Sequence, residues 1–380
     1  MEMIPVQGYC RSDFESLRHA FEENFRSRGE VGAAVCIYRG GECVVDLWGG
    51  LQDPVSGTLW SRDTIVCMMS VGKAFAALSV LLLAEREKLS LDSPVAAYWP
   101  AFAEKGKEAI TVRQVLAGLA ALIFTDAATR GAIYRWDEMT AAIEQQAPAW
   151  QPGSRGAYHS TTLGFLAGEL VRRVDGRRLD RFFDEEIAHP LDADFQFGLR
   201  DKDLDRVSDV IENRDSDTLQ AFSDTESAIA RAWKIRPAGD GFFFNDDAFR
   251  KALIPSSNGH GNARAVARIY NALVDGGGTQ SNPLISPRMI EEAREEQWNG
   301  PCGLTGRDYR MGLGFFLNKP PLTPFGPNPR AFGHPGLGGA NGFADPENGI
   351  AFGYSPNALC GGDGVGDRCE ALIDATFRCI

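Results

Sequence analysis

Ser70 and Lys73 stand three residues apart at the head of the most apolar stretch of the chain, Ala74–Ala84. On a helix, residues at this spacing share one face, so the lysine amine sits beside the serine hydroxyl. Serine alone is a weak nucleophile and needs a base. A lysine packed against Ala74, Phe75, Ala77 and Leu78 has its pKa lowered by desolvation, so the neutral amine can take the serine proton. The amides at a helix N-terminus also point towards Ser70, where they favour an oxyanion. The same spacing arises when an N-terminal serine merely caps a helix and the lysine is solvated. The pair by itself leaves both readings open.

Two further groups carry polar chemistry. Tyr158, His159 and Ser160 follow the loop Trp150, Gln151, Pro152, Gly153 and open another helix. His334, Pro335, Gly336 and Leu337 lie in a glycine-rich run placed just before a strand pair. Taken alone, Tyr158 reads as a core aromatic with a satisfied hydroxyl. Cys67 has no basic partner beside it and reads as buried packing. Asn258 to Gly261 reads as a helix-entry turn or as an element of a pocket mouth. Phe242 to Phe244 reads equally as an acyl-pocket wall or as core. The chain has no GxSxG elbow, HExxH, Walker A sequence or strand-borne GxGxxG. It also lacks CxxC pairs and Cys/His clusters at zinc spacing, so neither a cofactor nor a metal is expected.

The elements that must position these residues are legible from pattern. Ser12 to Glu15 form a capping-box pattern before Phe14, Leu17, Phe21 and Phe25 at helical spacing. Two β-rich runs, Val31–Tyr38 and Glu42–Trp48, flank Arg39, Gly40 and Gly41, which supply a hairpin turn. Helix-compatible spacing continues over Val71–Lys88, Thr111–Leu122, Asp137–Gln146, Thr161–Val174 and Leu179–His189. Asp201–Asp247 is weakly patterned, as in segments that wrap a surface or cover a site. Helices Ala263–Val274, stopped by Gly276, Gly277 and Gly278, and Pro287–Glu296 come next. Strands follow at Met311–Leu317, Ala331–His334, Gly342–Asp345 and Ile350–Tyr354, and a closing helix at Arg368–Phe377. Strands at both ends with helices between predict one sheet built from both termini and an inserted all-helical lobe. The expected division is 1–75 with 262–380 for the sheet, and 76–261 for the lobe.

With 380 residues, 44% hydrophobic and 24% charged, the chain has ample material for a large core. Its net charge of −12, with no Lys/Arg-rich run, argues against phosphate backbones and anionic lipid surfaces as partners. The longest apolar stretch falls short of the roughly 20 residues that span a bilayer. Nothing near the N-terminus reads as a secretory signal, and the eight cysteines are scattered. A reduced, cytoplasmic compartment is the expectation.

Taken together and in order, Ser70/Lys73, Tyr158/Ser160 and His334/Gly336 resemble the three motifs of the serine β-lactamase and penicillin-binding protein superfamily: SxxK, then YxN or YxS, then KTG or HxG. The similarity is greatest to the class C β-lactamase-like branch and its family VIII carboxylesterases. It extends from the first hairpin to the last helix and includes Leu89, Leu91, Asp92 and Pro94. The resemblance implies an α/β (α+β) β-lactamase-like fold. It also implies that Ser70 is the acylated nucleophile, Lys73 its general base and Tyr158 the proton relay. Ser160 would lie within reach of Lys73 or the substrate, and Gly336 would admit close substrate approach. The backbone N–H groups of Ser70 and Leu337 would form the oxyanion hole.

His334 and Pro335 stand where the superfamily places the lysine and threonine that bind an acidic substrate arm. A neutral imidazole and a proline cannot reproduce that pairing, so the expected reaction is hydrolysis of neutral carboxylic esters. The same acyl-enzyme would serve a β-lactamase, D-aminopeptidase, amidase or acyltransferase, and a non-catalytic binding homologue is the remaining alternative. In each case the partner is a small molecule. Relatives usually carry His and then Gly after the helix that begins at Thr111. Gly118 and Ala121 occupy those places here, so that loop is expected to be repacked.

Overall fold

The computed structural model describes residues 6–239, 241–274, 284–362 and 364–380. The glycines at 276–278, expected to stop a helix, lie outside the described residues. Strands β1 (Gln7–Cys10), β2 (Gly32–Arg39), β3 (Glu42–Asp53) and β4 (Thr58–Leu59) come from the N-terminal end of the chain. Four short strands follow: β5 (Ile65–Cys67), β6 (Phe195–Phe197), β7 (Val207–Ser208) and β8 (Gly259–Gly261). The C-terminal third supplies β9 (Trp298–Pro301), β10 (Asp308–Met311), β11 (Phe316–Leu317), β12 (Phe332–Pro335), β13 (Asn341–Asp345) and β14 (Ile350–Pro356). Among the helices, α1 (Glu15–Ser27), α2 (Gly72–Glu85), α3 (Val112–Leu116), α4 (Trp136–Gln145) and α5 (Thr162–Asp175) matter most for the site.

Ten strands form one antiparallel sheet in the order β1-β3-β2-β14-β13-β12-β11-β10-β9, with β4 paired to β3 off that path. Strands from the two ends of the chain meet at β2 and β14, from Arg39↔Ile350 to Ala33↔Pro356. The β2–β3 hairpin closes through Gly40 at φ 57° and Gly41 at φ 82°, with Arg39 paired to Glu42. A two-residue loop with both residues at positive φ matches the right-handed twist of its strands. Helix Ala263–Asn271 lies across β2, β13 and β14, and Gly366–Arg378 packs on α1. Helix α2 is buried on nearly every side, as an all-round apolar helix must be. It packs on α5, and one hydrophobic cluster joins it to both the sheet and the other helices.

The structure departs from the expected elements in several places. The inserted lobe is not all-helical, because β6, β8, β5 and β7 form a second, four-stranded sheet in that order. These strands are two or three residues long and are stabilised by their partners rather than by pattern. The capping box at Ser12 does not form. Residues Ser12–Phe14 make a 3-10 turn with no side-chain cap, and Asp13 is instead gripped by Arg11 at 2.7 and 2.8 Å. A true capping box closes at Thr111 and Gln114.

The helix it starts ends at Leu116, because Gly118 at φ 73° and Ala121 at φ 57° turn the chain out of helical geometry. Likewise Met311–Leu317 is not one strand but β10 and β11, paired antiparallel at Met311↔Phe316 across Gly312–Phe315. Gly314 there lies at φ 80°, and a Cβ on it would sit 2.1 Å from Ala77 Cβ of α2. The edge strands β1 and β9 carry no pattern that sets them apart as strands.

Candidate active site

Strand β5 delivers the chain to Ser70. Met68 N–H donates to the Gly259 carbonyl of β8 at 2.8 Å, and Met69 then takes φ 49° before the 3-10 turn Met69–Val71 leads into α2. A left-handed Met69 carries strain of about 1–3 kcal/mol, sustained by packing around it. Lys73 Nζ lies 3.0 Å from Ser70 Oγ and donates to the Ser256 carbonyl at 2.5 Å. Lys73 is fully buried, and burial holds its pKa well below the ordinary lysine value. A shift in this direction favours the unprotonated amine, whose lone pair could accept the Ser70 proton.

The Ser256 carbonyl is itself held in place. Ser256 Oγ donates to the Thr161 carbonyl at 2.9 Å and accepts from Gly164 N–H at 2.7 Å. Gly164 is required for this approach, because a Cβ there would lie 2.4 Å from Ser256 N. Ser256 carries no motif, and sequence reasoning missed it.

Tyr158 faces the pair from the other side, with its ring centroid 4.8 Å from Lys73 Nζ. Its hydroxyl is in hydrogen-bonding range of Ser70, which offsets in part the upward push of burial on the phenol. Burial thus disfavours the charged form of each group, the ammonium and the phenolate, so a proton passed along the pair must enter at one end as it leaves at the other. Tyr158 N–H donates to Cys302 Sγ at 3.1 Å, a second positioning contact that no local pattern announces. His159 braces the same turn. Its Nδ1 donates to the Ala157 carbonyl at 2.9 Å and its Nε2 accepts from Leu122 N–H at 3.1 Å. The loop at Gly118–Leu122 is thereby tied to the tyrosine.

Of the two partners expected for Ser160, Lys73 or a substrate, Lys73 is not the one its hydroxyl meets. Its Oγ accepts from Trp233 Nε1 at 2.8 Å, and the Ser256 carbonyl takes the place beside the amine. Ser160 still borders the cavity. Gly336 borders the same cavity, and it also packs closely within the protein, because a Cβ there would meet the Met68 carbonyl at 2.5 Å. That contact seats the end of β12 against the Ser70 turn. Leu337 opens the 3-10 turn Leu337–Gly339. Like Ser70, it stands in the first turn of its segment, where N–H groups lack an acceptor inside it. Both residues border one cavity of about 130 Å³.

His334 is buried at the cavity wall, with its ring 4.8 Å from Phe316 and 5.9 Å from Tyr158. Burial, with Lys73 as a lesser cause, pulls its pKa down to about 3. It is a neutral imidazole, as the sequence implied. Phe244 lines the cavity with Phe222 and Trp233, while Phe243 is buried against Phe249. The weakly patterned segment thus covers the site. Asn258 and His260 are fully buried behind the Ser70 turn, outside the cavity wall. Cys67 is buried, donates to the Ser257 carbonyl at 3.3 Å and has a thiol pushed up to about 12, so it is packing.

Larger clefts on the surface are lined by ion-paired Arg and Glu side chains such as Arg294 with Glu291 and lie away from Ser70. Among the described residues no cluster of His, Cys, Asp and Glu is arranged to hold a metal ion. No described helix is long and apolar enough to cross a membrane.

Residues 17–371 match the Beta-lactamase family, and the chain belongs to it. The Esterase/beta-lactamase LipL of Mycobacterium tuberculosis is 32% identical over 368 residues, covering 93% of this chain and 83% of that protein. The crystal structure of a family VIII carboxylesterase superposes with a TM-score of 0.91 at 35% identity, covering 99% of this chain and 100% of that one. A penicillin-binding protein homologue from Caulobacter crescentus gives 0.90 at 34% identity, with the same coverage. The architecture is the β-lactamase-like α/β fold, with its large antiparallel sheet flanked by helices.

Proposed function

We propose that the protein is a serine hydrolase that cleaves short, neutral carboxylic esters through an acyl-enzyme on Ser70. The observation that carries this reading is a fully buried Lys73 amine 3.0 Å from Ser70 Oγ. Ser70 Oγ attacks the ester carbonyl carbon while its proton passes to Lys73. The N–H groups of Ser70 and Leu337 stabilise the resulting oxyanion. As the C–O bond to the alcohol breaks, Tyr158 hands a proton to the leaving oxygen and is re-protonated from Lys73. Water then attacks the acyl group by the same relay, releasing the acid and free Ser70. A cavity of about 130 Å³ favours short acyl chains.

Ser70→Ala is expected to lower turnover of p-nitrophenyl butyrate by about 10³-fold or more and to abolish labelling by a fluorophosphonate. Normal turnover in that variant would sink the assignment. The relative LipL carries both esterase and β-lactamase in its name, which supports a second reading in which the same acyl-enzyme opens β-lactams. Nitrocefin cleaved faster than p-nitrophenyl butyrate would favour it.

Two further points belong to this proposal. All eight thiols are free, which fits a reducing, cytoplasmic compartment. The chain is also read as a sheet unit, 1–75 with 262–380, and a lobe, 76–261, that share the core cluster.

A further inference from the structure

Two buried polar atoms of the cavity wall have no protein partner: His334 Nε2 and Ser257 Oγ. The tautomer of His334 follows from its other nitrogen. Nδ1 lies 2.7 Å from the Pro335 carbonyl, which can only accept, so Nδ1 carries the proton and Nε2 presents a lone pair. Burial keeps the ring neutral at ordinary pH. A buried acceptor without a donor is costly, and a ligand that supplies the donor recovers that cost. The surroundings of this acceptor are aromatic, with Phe316 and Tyr158 packed against the ring. The guanidinium at the cavity edge, Arg307, is hydrogen-bonded to the Tyr309 hydroxyl. An anionic group placed at Nε2 would face a lone pair.

We propose that the substrate of this site carries, close to its scissile ester, a neutral O–H or N–H donor that His334 Nε2 accepts, with Ser257 Oγ available for a second polar contact. His334 is then a specificity-determining residue, and the substrate class is short hydroxyl- or amide-bearing esters rather than carboxylate-bearing ones. The inference rests on the reading of Ser70 as the acylated residue.

The test compares isosteric ester pairs that differ by hydroxyl against methyl: 2-hydroxyethyl butyrate with propyl butyrate, and ethyl glycolate with ethyl propionate. The first pair places the donor on the alcohol side, the second on the acyl side. In at least one pair the hydroxyl ester is expected to lead in kcat/KM by about tenfold or more, since a site built to pair a hydroxyl discriminates against its absence. His334→Leu should bring that ratio close to one, and His334→Gln, which keeps an acceptor oxygen, should retain a hydroxyl preference. Ratios near one in both pairs for the unaltered protein would overturn the inference, as would an unchanged ratio in His334→Leu. Carboxymethyl butyrate outpacing 2-hydroxyethyl butyrate would overturn it too. Those results leave the esterase reading standing, whereas no turnover of any ester together with an unlabelled Ser70 defeats both. If a variant does not fold, the ratios of the unaltered protein decide the matter.

Discussion

Lys73 sits among apolar side chains with Ser70 Oγ and the Ser256 carbonyl as its polar neighbours. In the unfolded chain this amine is protonated below its ordinary value of 10.5, while in the folded protein it loses its proton well below that. Between the two values unfolding takes up a proton, so the lysine lowers stability at neutral pH. The penalty fades as pH rises through 10.5. Lys73→Met is therefore expected to abolish turnover and yet raise stability at pH 7, by roughly 1–2 kcal/mol, with the gain shrinking near pH 10.5. Thermal melts at the two pH values check this, and a lower Tm at pH 7 would contradict a neutral amine. Tyr158 is shifted the other way, above its ordinary value of 10. The two opposite shifts are the ones that the proposed roles of Lys73 as base and Tyr158 as proton donor require.

The segment after α3 shows what an element contributes. Gly118 takes φ 73° without penalty, but Ala121 takes φ 57° with a Cβ attached, which disfavours the left-handed region by about 1–2 kcal/mol. The loop is held there by Leu122 N–H on His159 Nε2 and by Thr162 Oγ1 donating to the Leu122 carbonyl at 2.6 Å. Ala121→Gly is expected to raise stability by up to about 1 kcal/mol, net of the extra freedom glycine gives the unfolded chain. Chemical denaturation of the two proteins, read at the midpoint with a shared slope, measures it.

Elements of this kind also show why some boundaries are legible and others are not. The β2–β3 hairpin, α2 and the closing helix are specified by neighbours in sequence, namely paired glycines or an apolar period. Strands β5, β7 and β8 are made by partners far along the chain, as when Ile65 pairs with Val207 and Val66 with Gly261. A two-residue strand has no period to read.

At the scale of the whole molecule, three histidines are buried and neutral: His159 with its pKa down to about 4, and His260 and His334 down to about 3. Burial is the leading cause in each. All three fall below the unfolded value of 6.5, so the unfolded chain binds protons that the folded protein refuses. Stability is therefore lost as pH falls from about 6.5 towards 4 and 3. Near pH 5 unfolding should take up roughly three protons on this account. Tm measured between pH 7 and pH 4.5 is expected to fall steeply, and calorimetry in buffers of different ionisation enthalpy should detect the uptake. A Tm that is level across that range would mean that these rings are charged or exposed. The large core cluster joining sheet and helices makes this loss a property of the entire fold rather than of one lobe.

What the sequence determined by itself was local: a serine and a lysine three residues apart at the head of an apolar helix, and the glycine turn of the first hairpin. Each follows from spacing or side-chain chemistry within a few residues. Only the tertiary structure decided that the Ser256 carbonyl, 183 residues from Lys73, holds the amine. It likewise decided that Trp233 claims Ser160 from 73 residues away and that Cys302 holds Tyr158 N–H from 144 residues away. Contacts of such separation leave no periodicity in the chain, because they exist only once the sheet has brought its two ends together around the helices.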